Sequence, residues 1–333
     1  MVRLHPPPHE VPDNVWHTLL IVLIGSWFVW QTGTECTEIF QTETAVTSIE
    51  QALVDGKGHP LYLWLESLTR EYEWPALVMN RAFSLAGWFL ALAGLIRLLM
   101  KGKGLVVAVP PLLVLLTVPG LTPYMSTGGA GGFAVYFFVK ALSAVTKTDE
   151  KWTWIRAGGY AAVAVGLNPL WFLPALGLLA GVFELYRSRW IRVGCAFAGV
   201  GILGALVIGF SSNSGFSGLW PGPAGSVGWP EGWPGLVFHR HFFAVAALTA
   251  MIAYGAFRRG IGWWCLVMTL PPILLQSFLA SEVMALLVPL WVVGAMGLAK
   301  LPMVLNLKYP RSYLSVLLCQ LLLWVPAYLD FLL

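Results

Sequence analysis

The chain has 333 residues, of which 58% are hydrophobic and only 11% are charged, with a mean hydropathy of +0.74. Soluble domains contain roughly 45–50% apolar residues, so this composition excludes an ordinary water-soluble protein. The net charge of +4 comes with no nucleic-acid-binding motif, and we expect no nucleic-acid partner. The four cysteines show no CxxC spacing, so they predict neither a disulfide framework nor a cysteine metal site.

Apolar runs close to the roughly 20 residues that span a hydrocarbon core recur along the chain. They predict an all-α polytopic membrane protein with eleven transmembrane helices. Residues 1–15 form a polar, proline-rich cytoplasmic segment. No small-residue cleavage site follows the first apolar run, so we expect that run to be retained as a membrane span. Residues 16–331 form a single transmembrane domain. The predicted spans are 16–31, 75–99, 104–120, 129–146, 154–168, 170–186, 190–211, 240–257, 261–280, 283–299 and 312–331.

The basic residues predict the orientation of these spans. With a cytoplasmic N-terminus, fifteen of the twenty Lys and Arg residues fall on the cytoplasmic side, as the positive-inside rule requires. We therefore expect an integral membrane protein of the bacterial inner-membrane type with its C-terminus outside. The cations also predict contacts with anionic membrane lipids. These fifteen residues are Arg3, Arg97, Lys101, Lys103, Lys147, Lys151, Arg156, Arg187, Arg189, Arg192, Arg258, Arg259, Lys300, Lys308 and Arg311.

The first outer loop, residues 32–74, holds half of the carboxylates of the chain against only two cations, Lys57 and Arg70. Apolar residues recur at helical spacing over 43–55, and the segment 61–68 is also amphipathic. Two short helices with one apolar stripe each are expected to lie in the membrane interface. A second outer loop, 211–239, is rich in Gly, Pro and Trp. The carboxylates of the first loop are Glu35, Glu38, Glu43, Glu50, Asp55, Glu66, Glu71 and Glu73.

Several short motifs follow one another in a recognisable order. An acidic residue at a loop helix, Glu43, precedes GKGHPLYLWL at 56–65, and NRAFSL follows at 80–85. GLNPLWFLPAL at 166–176 and LLVPLWVVGA at 286–295 come later. This order resembles the GT-C membrane glycosyltransferases, and within them the protein O-mannosyltransferase and aminoarabinose-transferase type. The resemblance covers about residues 16–300. Where the family commonly has Asp-Glu, this chain has Thr42-Glu43.

The resemblance implies an inverting transferase that moves a sugar from a polyprenyl phosphate to an acceptor hydroxyl on the outer face. Glu43 would be the general base that accepts the hydroxyl proton, with Glu38 as the substitute one helical turn away. A structural interpretation of Glu43 stays open, because a carboxylate at a helix start stabilises the helix by about 0.3–1 kcal/mol.

The same resemblance implies a set of binding residues. Arg81 matches the arginine at the entry to the second span, and an arginine inside a span is a site candidate by default. His59 and Tyr62 belong to the GKGHPLYLWL element. Independently of the resemblance, the cluster His239, Arg240 and His241 lies where the loop 211–239 enters the eighth span, and there a guanidinium can pair with a lipid phosphate. An interfacial anchor is the alternative interpretation of that cluster.

The motifs described above require no cofactor. None of the candidate catalytic or binding residues is assigned as a metal ligand. In the acidic loop, Glu35, Glu38 and Glu43 could together bind a divalent metal, since hard cations prefer carboxylate oxygens. A second class of function is a non-catalytic GT-C-like subunit that assembles with other membrane proteins. A secondary transporter is disfavoured, because the acids lie in a loop and not at mid-membrane. Lys140, about six residues from the inner end of its span, is interpreted as a snorkelling cation.

Overall fold

The structure is a computed structural model. It describes residues 76–100, 131–146, 151–168, 171–185, 260–275 and 280–298, and the separate positions 19, 22, 23, 26, 112, 194, 197–199 and 201–202. The described residues form helices and no strand, so the all-α prediction is confirmed for this part of the chain. The helices are α1 (Ala76–Met100), α2 (Gly131–Val145), α3 (Lys151–Leu167), α4 (Phe172–Leu185), α5 (Ile261–Leu275) and α6 (Ala280–Leu298).

Each of these six helices coincides with an apolar run, and its start lies within three residues of the expected start. The largest difference is at the end of α5, which stops at Leu275 where the apolar run predicted residue 280. None of the helices in the described ranges is both long enough and apolar enough to cross a membrane. The two interfacial helices expected in the loop 32–74 lie outside the described residues.

Helices α1 and α2 run parallel and touch through glycines. A Cβ atom added to Gly87 would lie 2.5 Å from the backbone nitrogen of Phe133, and one added to Gly132 would lie 2.6 Å from the carbonyl oxygen of Ser84. Further along both helices, Gly94 faces the side chain of Val139. Because contacts advance in the same direction along both chains, the two helices point the same way. Glycine allows this close approach of two backbones, as in membrane helix pairs.

Helices α4 and α5 run antiparallel and are equally close. A Cβ atom at Gly177 would lie 2.5 Å from Cα of Cys265, and one at Gly181 would meet the backbone of Ile261. The two glycines form a GxxxG pair, so they share one face of α4. Helix α5 begins after Gly260, whose φ of 133° is accessible mainly to glycine.

Helix α3 packs antiparallel to α2 and parallel to the helical positions near residue 198. The rings of Phe137 and Tyr160 lie 6.1 Å apart, at matching levels of α2 and α3. Gly194 faces Trp154, and Gly158 faces Ala198 one turn further on. Small residues thus recur where α3 contacts the positions near residue 198, whereas aromatic rings meet on the side of α2.

The helix directions define two ends of the bundle. At the Arg81 end, α1, α2 and α4 begin and α3 and α5 finish. At the Arg97 end, α1, α2 and α4 finish and α3 and α5 begin. Between these ends lies an apolar core that α1 to α6 share, with Phe138, Ile96 and Trp171 among its fully buried side chains.

Candidate functional site

Among the candidate catalytic and binding residues, Arg81 alone falls within the described residues. It lies in the second turn of α1, at the Arg81 end, and the described side chains of this helix begin two residues later, at Phe83. It therefore lies near the start of a helix, and the entry of this helix into a membrane span stays a prediction. The other candidates lie outside the described residues: Glu38, Glu43, His59, Tyr62, His239, Arg240 and His241.

The side chains that follow Arg81 build an aromatic contact between α1 and α2. The ring centroids of Phe83 and Phe133 lie 4.3 Å apart with the planes tilted by 34°. Ser84 is 2% exposed, and its carbonyl is the one that Gly132 approaches. Since aromatic packing and backbone proximity both fix the first turns of α1, the helix turn that carries Arg81 is held against α2.

A buried tryptophan, Trp171, lies near the Arg81 end of the bundle. Trp171 follows the turn between α3 and α4, where its backbone N–H donates to the carbonyl of Asn168 at 3.0 Å. Its indole ring is fully buried and packs edge-on against Phe138 at 5.3 Å between centroids. The indole N–H has no hydrogen-bond partner among the described residues. Apolar packing therefore holds this turn on α2.

The second chemically distinctive surface is one face of α2. Lys140 is half-buried there, and its ammonium lies 5.3 Å from the ring centroid of Tyr136, one turn nearer the Arg81 end. Tyr136 in turn contacts Phe137 edge-on at 5.3 Å. The ammonium is thus drawn to an aromatic face, a contact that contributes about 0.5–1 kcal/mol when partly exposed. Sequence reasoning interpreted Lys140 as snorkelling and missed the ring, although the spacing of four residues on one helix is the signal for it.

At the Arg97 end the polar contact is an ion–dipole pair between helices. The indole N–H of Trp264 donates to the carboxylate of Glu184, with 2.6 Å between nitrogen and oxygen. Beside α3 and α4, a crevice lined by Val145, Trp154 and Leu178 has room for the centre of one water molecule, about 10 Å³. Its lining is apolar, so it is a packing defect rather than a site for a polar ligand.

Metal binding finds no support in the helical part that the structure describes, where no three His, Cys, Asp or Glu side chains group together. The divalent ion considered for Glu35, Glu38 and Glu43 concerns residues outside this part. Cys265 is buried and free, and its thiol donates to the carbonyl of Pro174 at 3.5 Å.

Comparison of the chain with protein-family models, with curated proteins and with solved structures finds no match. The GT-C resemblance therefore stands on the motifs of this sequence alone.

Proposed function

We propose that the protein is a polytopic membrane glycosyltransferase of the GT-C type. It would transfer a sugar from a polyprenyl phosphate to an acceptor hydroxyl, at the membrane face where the loops 32–74 and 211–239 lie. The observation that carries the proposal is the direction of the described helices, which supports a common location for both loops and Arg81. The acidic loop joins the Arg81 end directly, because only Pro75 separates residue 74 from α1.

The directions of the described helices support the same location for the second loop. The helical positions 194–202 run parallel to α3, toward the Arg81 end, whereas α5 begins at the Arg97 end beside Gly181. These two directions favour a chain path between residues 202 and 261 that would turn at the Arg81 end and return. The predicted loop 211–239, followed by the predicted span 240–257, would provide this return. Similarly, the parallel α1 and α2 require a return between residues 100 and 131, which the expected span 104–120 would provide.

A membrane environment is supported by helices that are apolar on their exposed faces as well as their buried ones. Phe89 on α1 is 43% exposed, Phe183 on α4 is 57% exposed and Trp263 on α5 is 45% exposed. The opposite faces of the same helices hold core residues such as Leu95 and Leu178. A helix that is apolar all round belongs either in a large core or in a membrane.

The charges support the orientation. Arg97, Lys151 and Arg156 lie near the Arg97 end, in the last turn of α1 and the first turns of α3. Arg81 alone among the described cations lies near the opposite end. Because cationic segments are retained in the cytoplasm, the Arg97 end would be cytoplasmic and the Arg81 end would face outside.

The chemistry follows from this arrangement. An acceptor hydroxyl is a poor nucleophile until a carboxylate accepts its proton, and Glu43 would do so, with Glu38 as the alternative base. A well-placed base contributes about 10²–10⁴-fold to the rate. Arg81 and Arg240, aided by His239 and His241, would bind the donor phosphate and stabilise the charge on the departing oxygen. His59 and Tyr62 would line the sugar position.

The test is a transfer assay with purified protein and a panel of polyprenyl-phosphate sugars. Glu43→Gln keeps the shape of the side chain but cannot accept the proton, so transfer should fall by about 10²-fold or more with donor binding retained. Thr47→Ser in the same loop is the matched control and should keep full transfer. If Glu38→Gln abolishes transfer and Glu43→Gln does not, Glu38 is the base.

A wild-type protein that transfers no sugar and instead co-purifies in a defined complex with other membrane proteins would overturn the enzymatic proposal. That result would favour the non-catalytic subunit, which the Thr42-Glu43 departure from the Asp-Glu pattern already suggests as the second candidate.

A further inference from the structure

One face of α2 changes from polar to aromatic along its length. Residues at spacings of three and four place Thr146, Ser143, Lys140 and Tyr136 in one row, and Phe137 and Phe133 continue it toward the Arg81 end. Thr146 is exposed, and the others are half-buried, so this face is not closed off by the core. Apart from Gly131, the remaining residues of α2 are buried and form its core side.

The aromatic half of the face is extended by neighbouring helices. Phe83 of α1 packs on Phe133, and Tyr160 of α3 packs near Phe137, with centroids 4.3 Å and 6.1 Å apart. These ring contacts extend the aromatic half of the α2 face onto α1 and α3. Toward the Arg97 end the aromatic half gives way to hydroxyls, where Thr146 Oγ1 donates to the carbonyl of Ser143 at 2.8 Å.

We propose that this face of α2 binds one anionic phospholipid from the leaflet at the Arg97 end. Its phosphate would pair with Lys140 and accept a hydrogen bond from the Ser143 hydroxyl, and an acyl chain would lie along Phe137 and Phe133. The order of the groups matches the order in the lipid: cation and hydroxyls near the membrane surface, rings deeper. The inference rests on the membrane location in the proposed function but not on sugar transfer.

Lys140 is suited to this role because, among the described residues, its ammonium contacts the ring of Tyr136 and has no carboxylate partner. Its flexible four-carbon stem reaches about 6 Å, so the ammonium can turn from that ring toward Ser143, one turn away, when a phosphate is present. The ring holds the cation while the lipid is absent.

The experiment measures lipid binding to the delipidated full-length protein in detergent by native mass spectrometry. Phosphatidylglycerol should bind at one tight site, and Lys140→Met should weaken it at least tenfold, with Lys140→Arg restoring most of the affinity. Arg97→Gln, which removes a cation at the same end but on α1, is the matched control and should bind as wild type does. Phe133→Ala should weaken binding of the lipid but not that of a short-chain glycerophosphate.

Equal affinity of the wild type and Lys140→Met for phosphatidylglycerol would overturn the inference. Tighter Lys140-dependent binding of polyprenyl phosphate than of phosphatidylglycerol would also overturn it, because the face would then serve the sugar donor. Binding of inorganic phosphate with the affinity of the lipid would indicate a free-phosphate site and would overturn it too. Sugar transfer that persists in Lys140→Met, together with lost lipid binding, separates this inference from the proposed function.

Discussion

Trp264 donates its indole N–H to the carboxylate of Glu184 and so ties the first turn of α5 to the last turn of α4, with 2.6 Å between the two atoms. The contact lies one turn beyond Gly181, where the two backbones touch. Close packing and a charge-assisted hydrogen bond therefore act on the same helix pair, at the Arg97 end.

Removing this hydrogen bond should lower stability modestly. Both groups remain partly solvated, so Glu184→Leu, which has no acceptor, or Trp264→Phe, which has no donor, should each reduce the free energy of unfolding by about 1 kcal/mol. Thermal unfolding of the purified protein measures the effect. The double variant should lose less than the sum of the two single losses, because either change already breaks the bond. Fully additive losses would show that the two side chains do not interact.

Two adjacent glycines of α3 should respond in opposite ways to alanine. A Cβ atom at Gly158 would collide with Ala198, and repacking should cost about 1–3 kcal/mol. A Cβ atom at Gly159 meets nothing within 4 Å, so Gly159→Ala should gain about 0.5–1 kcal/mol of helix propensity. Denaturant or thermal unfolding of both variants tests the pair. Equal effects would mean that α3 does not face Ala198 as described.

The helices themselves could be predicted from sequence, but their partners could not. Runs of apolar residues gave starts within three residues for α1 and α5, because burial along a helix is a local pattern. The parallel pairing of α1 with α2 depends on Gly87 meeting Gly132, 45 residues away, and nothing local encodes that choice. The GxxxG pair in α4 indicated a close contact without naming α5. The same reason explains why the Trp264–Glu184 bond was missed.

The sequence predicted which types of residue the candidate site would contain, but not how those residues are placed relative to one another. Motifs identified Arg81 and the acidic loop, since carboxylates and an arginine inside a span are unusual in so apolar a chain. Helix directions, which sequence does not supply, place Arg81 at one end of the bundle, and it is only by proposal that the loop 211–239 shares that end.

The parallel arrangement of α1 and α2 can be tested by crosslinking. In a variant without its native cysteines, Gly94→Cys and Val139→Cys should form a disulfide on mild oxidation, because a Cβ atom at residue 94 would lie 3.2 Å from the side chain of Val139. The control pair Phe89→Cys and Val139→Cys should not react, since Phe89 faces away from the core. Non-reducing electrophoresis after proteolysis between the helices gives the result. A crosslink in the control alone would contradict the register.

A shared location of the two loops predicts their labelling in intact cells. Single cysteines at Thr47 and Ser226 should react with a membrane-impermeant maleimide, whereas one at Thr146 should react only after the membrane is permeabilised. The reason is that both loops are proposed to lie at the Arg81 end, whereas Thr146 lies at the other end. If the Ser226 position is labelled only after permeabilisation, the loop 211–239 does not lie outside. The predicted return of the chain between residues 202 and 261 is then wrong.

Arg81 offers the sharpest test of how the helix bundle serves the proposed chemistry. A guanidinium pairs with phosphate through two parallel hydrogen bonds, which an ammonium cannot reproduce. Arg81→Gln should therefore reduce transfer at least tenfold and weaken binding of the polyprenyl-phosphate donor, and Arg81→Lys should recover only part of both. Arg97→Gln removes an arginine from the other end of the same helix and should leave transfer unchanged. Because Arg81 follows directly after the first turn of α1, circular dichroism of each variant checks that the helix content is retained. Wild-type transfer by a folded Arg81→Gln protein would remove Arg81 from the site and leave the donor phosphate to Arg240.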